Sequence, residues 1–332
     1  MSKLLRVSVG TAAALNLLHC KLDAAPTTAY TMTYTTSRCS ANCAFCAQAR
    51  ESTANANQLS RVTWPEYPLS HVIKALKDNV HGSSFKRICI QTLNFPSLVP
   101  ELEHLIPIFR QQVPQIPLSI ALPPLSKSHI QKFYKLGVDR VAISLDAVTP
   151  EIFSEIKGHG VNGPFSWKKH KQALKTCLSI FCKKRTTTHL IIGLGETEKE
   201  SIALIQELTD QGITVSLFPF MPLNHTKLAK HDRPKISAYR RIQLAHYLIQ
   251  KGLVHIDQME FNSAENHLTK VKMPKRDLSK IVAQAKAFQT AGCPSCNRPF
   301  FTEQPRGPIY NYPVSPLPQA IGKIRNQLGG IL

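Results

Sequence analysis

Three cysteines, Cys39, Cys43 and Cys46, stand in Arg38-Cys39-Ser40-Ala41-Asn42-Cys43-Ala44-Phe45-Cys46, just after the strand-like run Thr28–Tyr34. Thiolates are soft ligands that suit iron–sulfur clusters or zinc. A [4Fe–4S] cube and a structural zinc ion each normally take four ligands, and no histidine stands beside these three to complete a tetrahedron. A cluster held by this loop therefore keeps one open iron, able to bind a substrate or cofactor. A second pair, Cys293-Pro294-Ser295-Cys296, lies far along the chain. Two thiolates are half a tetrahedral site, and on the residues alone the pair reads as part of a second metal site, a redox disulfide or a zinc knuckle. Cys20 is the candidate third ligand for that pair. Cys89, in a strand, and Cys177 and Cys182, on an apolar helix, are rivals that read as small core residues.

These thiols need a scaffold, and the pattern around them is repetitive. Candidate strands are Thr28–Tyr34, Arg87–Thr92, Leu118–Leu122, Arg140–Leu145, Thr187–Gly193 and Thr214–Phe218, with a weaker seventh near Val254–Phe261. Between and after them lie helical segments over Glu66–Asn79, Leu98–Gln112, Lys127–Leu136, Glu151–Lys157, Trp167–Cys182, Thr197–Gln211 and Lys235–Gln250. Strands alternating with helices indicate parallel βαβ units, and six of them point to an α/β fold with a partial or full parallel (βα) barrel. In such barrels active residues gather at the carboxyl ends of strands, where the first cysteine loop falls. Residues 1–27 and 262–332 flank the barrel of residues 28–261 and read as extensions.

The 332 residues carry 41 Lys+Arg against 21 Asp+Glu, a net charge of +20. No acidic residue occurs from Ile156 to Gly195, which holds Lys157, Lys168, Lys169, Lys171, Lys175, Lys183, Lys184 and Arg185. Lys270, Lys272, Lys275 and Arg276 form a second basic run. Such surfaces attract polyanions or acidic proteins. Nine cysteines cannot all pair internally, and their clustering suits metal chemistry in a reducing, cytoplasmic setting. Met1–Cys20 imitates a lipoprotein signal, but His19 is wrong for a small-residue cleavage site and Asn16 interrupts the apolar run. No other segment approaches the ~20 apolar residues of a membrane span.

The CxxxCxxC spacing followed by Ala47-Gln48-Ala49-Arg50 resembles the radical SAM superfamily, nearest to its biotin-synthase-like branch. The resemblance implies a [4Fe–4S] cluster on Cys39, Cys43 and Cys46 whose fourth iron is chelated by S-adenosylmethionine. It also implies an electron donor. Ile143-Ser144-Leu145-Asp146 matches the strand end that offers Ser144 and Asp146 to the ribose of that cofactor. His189-Leu190-Ile191-Ile192-Gly193-Leu194-Gly195-Glu196-Thr197 matches the segment, here with Gly193 and Glu196, whose backbone flanks the adenine. Phe45 belongs to the same site, and Phe218–Asn224 would wall the adenine or substrate pocket. One departure stands out. Most members have Gly-Gly-Glu after the second strand to bind the methionine amino group, whereas this chain has Gln91-Thr92-Leu93-Asn94, so Gln91 or Asn94 takes that role.

From Thr27-Thr28-Ala29-Tyr30 through Cys293-Pro294-Ser295-Cys296-Asn297-Arg298-Pro299-Phe300-Phe301 to Tyr310-Asn311-Tyr312-Pro313, the chain is similar to archaeal-type two-protein lipoyl synthases. That likeness implies an auxiliary iron–sulfur cluster on Cys293, Cys296 and Cys20 as sulfur donor. It implies an octanoyl-lysine on an acidic lipoyl-carrier domain as substrate, and a second radical SAM component as partner. Two alternatives stay open: a radical SAM enzyme acting on a small molecule or tRNA, and a zinc-binding RNA-associated protein.

Overall fold

A computed structural model describes residues 2–79 and 85–332. The strands in chain order are β1 (Leu4–Val7), β2 (Thr28–Met32), β3 (Gln58–Leu59), β4 (Val62–Thr63), β5 (Glu66–Pro68), β6 (Arg87–Gln91), β7 (Leu118–Leu122), β8 (Arg140–Ile143), β9 (Thr186–Ile192), β10 (Thr214–Pro219), β11 (Met259–Phe261) and β12 (Leu268–Val271). The helices are α1 (Val9–Ala14), α2 (Leu69–Asp78), α3 (Leu98–Gln112), α4 (Lys127–Lys135), α5 (Pro150–Ile156), α6 (Trp167–Phe181), α7 (Glu198–Asp210), α8 (Ile236–Gln250), α9 (Lys275–Gln284) and α10 (Pro318–Leu328).

Eight strands form one sheet in the order β10-β9-β8-β7-β6-β2-β1-β5. The run from β2 to β10 is parallel throughout, with helices between successive strands, which is an incomplete (βα) barrel. β2 and β7 are buried at every position, as expected of strands covered on both faces. The helices begin where the sequence supplies caps. Ser126, Thr149 and Ser166 each accept a bond from the backbone N–H three residues on. Thr197 and Glu200 form a reciprocal capping box at α7.

Three expectations change. Residues 4–7 are not a loose extension: β1 pairs antiparallel with β2 and with β5 and widens the sheet. The start of the expected helix at Glu66 is instead that edge strand β5, and α2 begins at Leu69 after Pro68. The weak seventh strand supplies only β11, which pairs with β12 in a separate hairpin outside the barrel.

The carboxyl-terminal segment closes the open side. Thr27 N donates to Asn297 Oδ1 at 2.9 Å, and Arg298 N donates to Tyr30 Oη at 3.0 Å, both at β2. Arg298 Nη2 reaches across to the Leu217 carbonyl on β10 at 3.2 Å. Residues 292–301 thus lie in the gap between the first and last parallel strands. Tyr239, Tyr310 and Arg240, all buried, anchor the following tail on α8.

Candidate active site

The loop after β2 is stapled from several directions. Ala44 N donates to the Ile156 carbonyl at 2.7 Å, Leu228 N to the Ala44 carbonyl at 3.1 Å, and Asn42 Nδ2 to the Val161 carbonyl at 2.6 Å. Arg38 spans the loop from inside, donating to the carbonyls of Ala47 and Ala54. The result is a fixed cradle in which Cys39, Cys43 and Cys46 all line one cavity of about 310 Å³. Asn94 N donates to Cys39 Sγ at 3.2 Å. Burial pushes the Cys46 thiol up to about 12, against a backbone hydrogen bond from Gln48, and pushes Cys39 and Cys43 up as well. Free, these are neutral thiols, and it takes a bound cation to make them thiolates.

The cavity runs inside the barrel. Phe45, Gln91, Asn94, Ser144 and Asp146 line it, as do Cys293 and Cys296 from the closing segment. Phe218, Pro219, Phe220, Met221 and Leu223 form part of its wall. Gln91 is already engaged: its Nε2 donates to Cys89 Sγ at 3.1 Å. Gly193 and Glu196 do not line the cavity. Glu196 turns back and accepts from Gly193 N at 2.6 Å and Leu194 N at 3.0 Å, fixing the loop after β9. Gly193, at φ +103°, has Pro234 so close that an added Cβ would stand 2.7 Å from it. Cys20 is exposed and does not line the cavity.

Two residues in the cavity escape a reading by sequence. Lys157, counted above in a basic surface, has a side chain 7% exposed and points inward. Its ammonium donates to Asp146 Oδ2 and to the Ser144 carbonyl, both at 2.6 Å, and lies over the rings of Phe153 and Phe165. Asp146 itself is held at φ +65°, a left-handed conformation that aspartate tolerates. Ser144 Oγ is 2.8 Å from His189 Nδ1, and burial holds His189 down at about 4 despite Asp146. The second residue is Cys89, which packs against the apolar core and also lines the cavity.

The first loop offers three soft thiol donors, which suit an iron–sulfur cluster. Among the described residues, no three Cys, His, Asp or Glu side chains converge closely enough to hold one metal ion. Cys39, Cys43 and Cys46 around one cavity mouth fit a [4Fe–4S] cluster with an open iron, and the polar groups of Asn94, Ser144, Asp146 and Lys157 alongside fit a zwitterionic cofactor such as S-adenosylmethionine.

The fold is similar to that of methylornithine synthase, at 14% identity and a TM-score of 0.53, over 69% of this chain and 63% of that one. It is similar also to the FeFe-hydrogenase maturase HydG from Carboxydothermus hydrogenoformans, at 17% identity and 0.53, over 77% of this chain and 56% of that one. The chain therefore spans under two thirds of the length of either, and at these identities the likeness is one of fold. No curated protein matches the sequence. Among the described residues no helix is long and apolar enough to cross a membrane. The family model for the radical SAM superfamily matches residues 33–208, from just before the cysteine loop to α7. Spanning more than half of the sequence and carrying all three cysteines, that match makes the chain a member of the radical SAM superfamily.

Proposed function

We propose that this radical SAM enzyme inserts one sulfur atom into an octanoyl chain carried on the lysine of an acidic lipoyl-carrier domain, as one component of a two-protein lipoyl synthase. The observation that carries the reading is that Cys293 and Cys296 open into the same cavity as Cys39, Cys43 and Cys46. The three-cysteine loop and the second thiol pair thereby share one cavity. When bound, a [4Fe–4S] cluster on Cys39, Cys43 and Cys46 with S-adenosylmethionine would supply, given an electron from an external donor, a radical able to take a hydrogen atom from carbon, and an auxiliary iron–sulfur cluster on Cys293 and Cys296 would supply the sulfide and accept the electron released as the carbon–sulfur bond forms.

The chain's own residues supply position and exclusion. Cys39, Cys43 and Cys46 hold the cluster loop toward the interior. Lys157 and Asp146 present a fixed pair of opposite charges to the zwitterionic cofactor, with Ser144 beside them. The apolar wall from Ile191 through Phe218, Phe220 and Met221 keeps water from the reacting carbon and suits an alkyl chain. Exposed Lys168, Lys169, Lys175, Lys183, Lys184 and Arg185 support docking of an acidic carrier.

The test is anaerobic incubation of the reconstituted enzyme with reductant, S-adenosylmethionine and octanoylated carrier domain, alone and with a second component. Intact mass should show a gain of one sulfur on the carrier. Formation of 5′-deoxyadenosine with a small-molecule substrate instead, and no sulfur on any carrier, would overturn the assignment.

A further inference from the structure

We infer that Cys89, Cys293 and Cys296 form one three-thiol site for the auxiliary iron–sulfur cluster, with Cys89 rather than Cys20 as the third ligand. The inference rests on the function proposed above, but its argument is geometric. Parallel pairing sets Tyr30 of β2 opposite Cys89 of β6, Cys89 opposite Ser119 of β7, and Ser119 opposite Arg140 of β8. All four line the cavity, as does Thr187 at the start of β9. Barrel interiors are normally filled by layers of branched apolar side chains. Here one level of the barrel presents a phenol, a thiol, a hydroxyl and a guanidinium to the cavity, with the Thr187 hydroxyl one step further along, opposite Ala142.

The closing segment brings the other two thiols into the same cavity. Cys296 Sγ lies 3.2 Å from Tyr30 Oη, the residue in register with Cys89. Cys293 Sγ lies 3.6 Å from Thr187 Oγ1. Arg140 and Arg298, which also line the cavity, provide positive charge beside the thiols. Cys20, by contrast, is exposed, with its thiol 3.5 Å from the carbonyl of neighbouring Lys21. Three soft thiols lining one cavity suit an iron–sulfur cluster.

The experiment uses the full chain with Cys39, Cys43 and Cys46 replaced by alanine, so that iron at the first site is removed. After anaerobic reconstitution with ferrous iron and sulfide, iron and labile sulfide per chain and the visible spectrum are measured. The parent should hold iron and sulfide. Adding Cys20→Ala or Cys177→Ser should leave both unchanged, whereas adding Cys89→Ser should lose more than half of the iron or change the spectrum. Thermal melting checks folding, and Cys89→Ala serves if the serine variant melts early. A Cys89 variant that folds and retains the parent's iron and spectrum overturns the inference while leaving an auxiliary cluster in place. A parent that binds no iron overturns both the inference and the auxiliary cluster of the proposed function. Failure of sulfur transfer to a carrier in the wild-type assay, with Cys89-dependent iron intact, would fall on the proposed function alone.

Discussion

Lys157 Nζ stands 2.6 Å from Asp146 Oδ2, so the residue expected to meet a ribose already has an ionic partner inside the cavity. Asp146 is 13% exposed and Lys157 7%, and neither charge can be left alone there without cost. Lys157→Met should lower stability by about 3–5 kcal/mol in denaturant unfolding, the range for breaking a buried pair from one side. Asp146→Asn combined with Lys157→Met should recover much of that loss, because no unpaired charge remains. Cofactor binding separates the two roles. The double variant should still bind S-adenosylmethionine more weakly, by about 1–3 kcal/mol. Wild-type affinity in the double variant would make the pair purely structural.

Replacing Cys39, Cys43 and Cys46 together by alanine should abolish formation of 5′-deoxyadenosine from S-adenosylmethionine under reducing conditions. Chromatography of the reaction mixture reads this directly, and continued production would contradict the place given to this loop.

Removing Cys293 and Cys296 should separate the two halves of the chemistry. Their variant keeps the first thiol triad on its own loop, so 5′-deoxyadenosine should still form. The octanoyl carrier should gain no sulfur by intact mass. Sulfur transfer at the wild-type rate would return the pair to a structural zinc or redox role.

Gly193→Ala tests the loop after β9. At φ +103° and with Pro234 at 2.7 Å from the new Cβ, the substitution strains the backbone and forces the facing loop to move. A loss of roughly 1–3 kcal/mol in unfolding free energy is expected. Melting like wild type would show that the loop relaxes freely.

Three buried histidines predict acid lability. Burial lowers His170 to about 3, with Lys157 adding to the effect, and lowers His189 and His246 to about 4. Above their ordinary value of 6.5 both folded and unfolded chains hold them neutral, so stability is fully present. As pH falls from 6.5 toward 4, the unfolded chain takes up protons that the folded chain refuses, and stability drops. Thermal melting followed from pH 7.5 downward should therefore show a falling midpoint. His170→Phe, whose ring fits beside Phe153 and Phe165, should flatten part of that slope. A variant whose pH profile superimposes on wild type would exclude His170 as a contributor.

Much of this architecture can be read from residues because a parallel strand covered on both faces is an unbroken apolar run. Leu118–Leu122 and Leu98–Gln112 appear in the structure with the expected bounds, and the three-thiol loop announces itself by spacing. What sequence lacks is depth. Lys157 reads as one more charge in a basic run, yet it follows α5 back into the barrel, whereas Lys168 and Lys169 on α6 do face solvent. Cys89 reads as a small core residue because alternation along a strand says that two faces exist without saying which one borders a cavity. Cys182 has the opposite fate: it ends α6 and is exposed. β1 hides because four residues before a helix carry too little pattern to reveal an edge strand.

The closing segment also imposes an order on how the molecule comes into being. Thr27 bonds Asn297, Tyr30 meets Cys296, and Ser60 bonds the Phe301 carbonyl, pairings separated by 270, 266 and 241 residues. During synthesis the Cys39–Cys46 loop and the parallel strands emerge long before their last partners. Non-local contacts of this kind form late and slowly. The first three cysteines lie on one short loop, whereas Cys293 and Cys296 reach the cavity only once the tail has crossed β2. The contacts that seal the interior are therefore expected to be the last to form in folding.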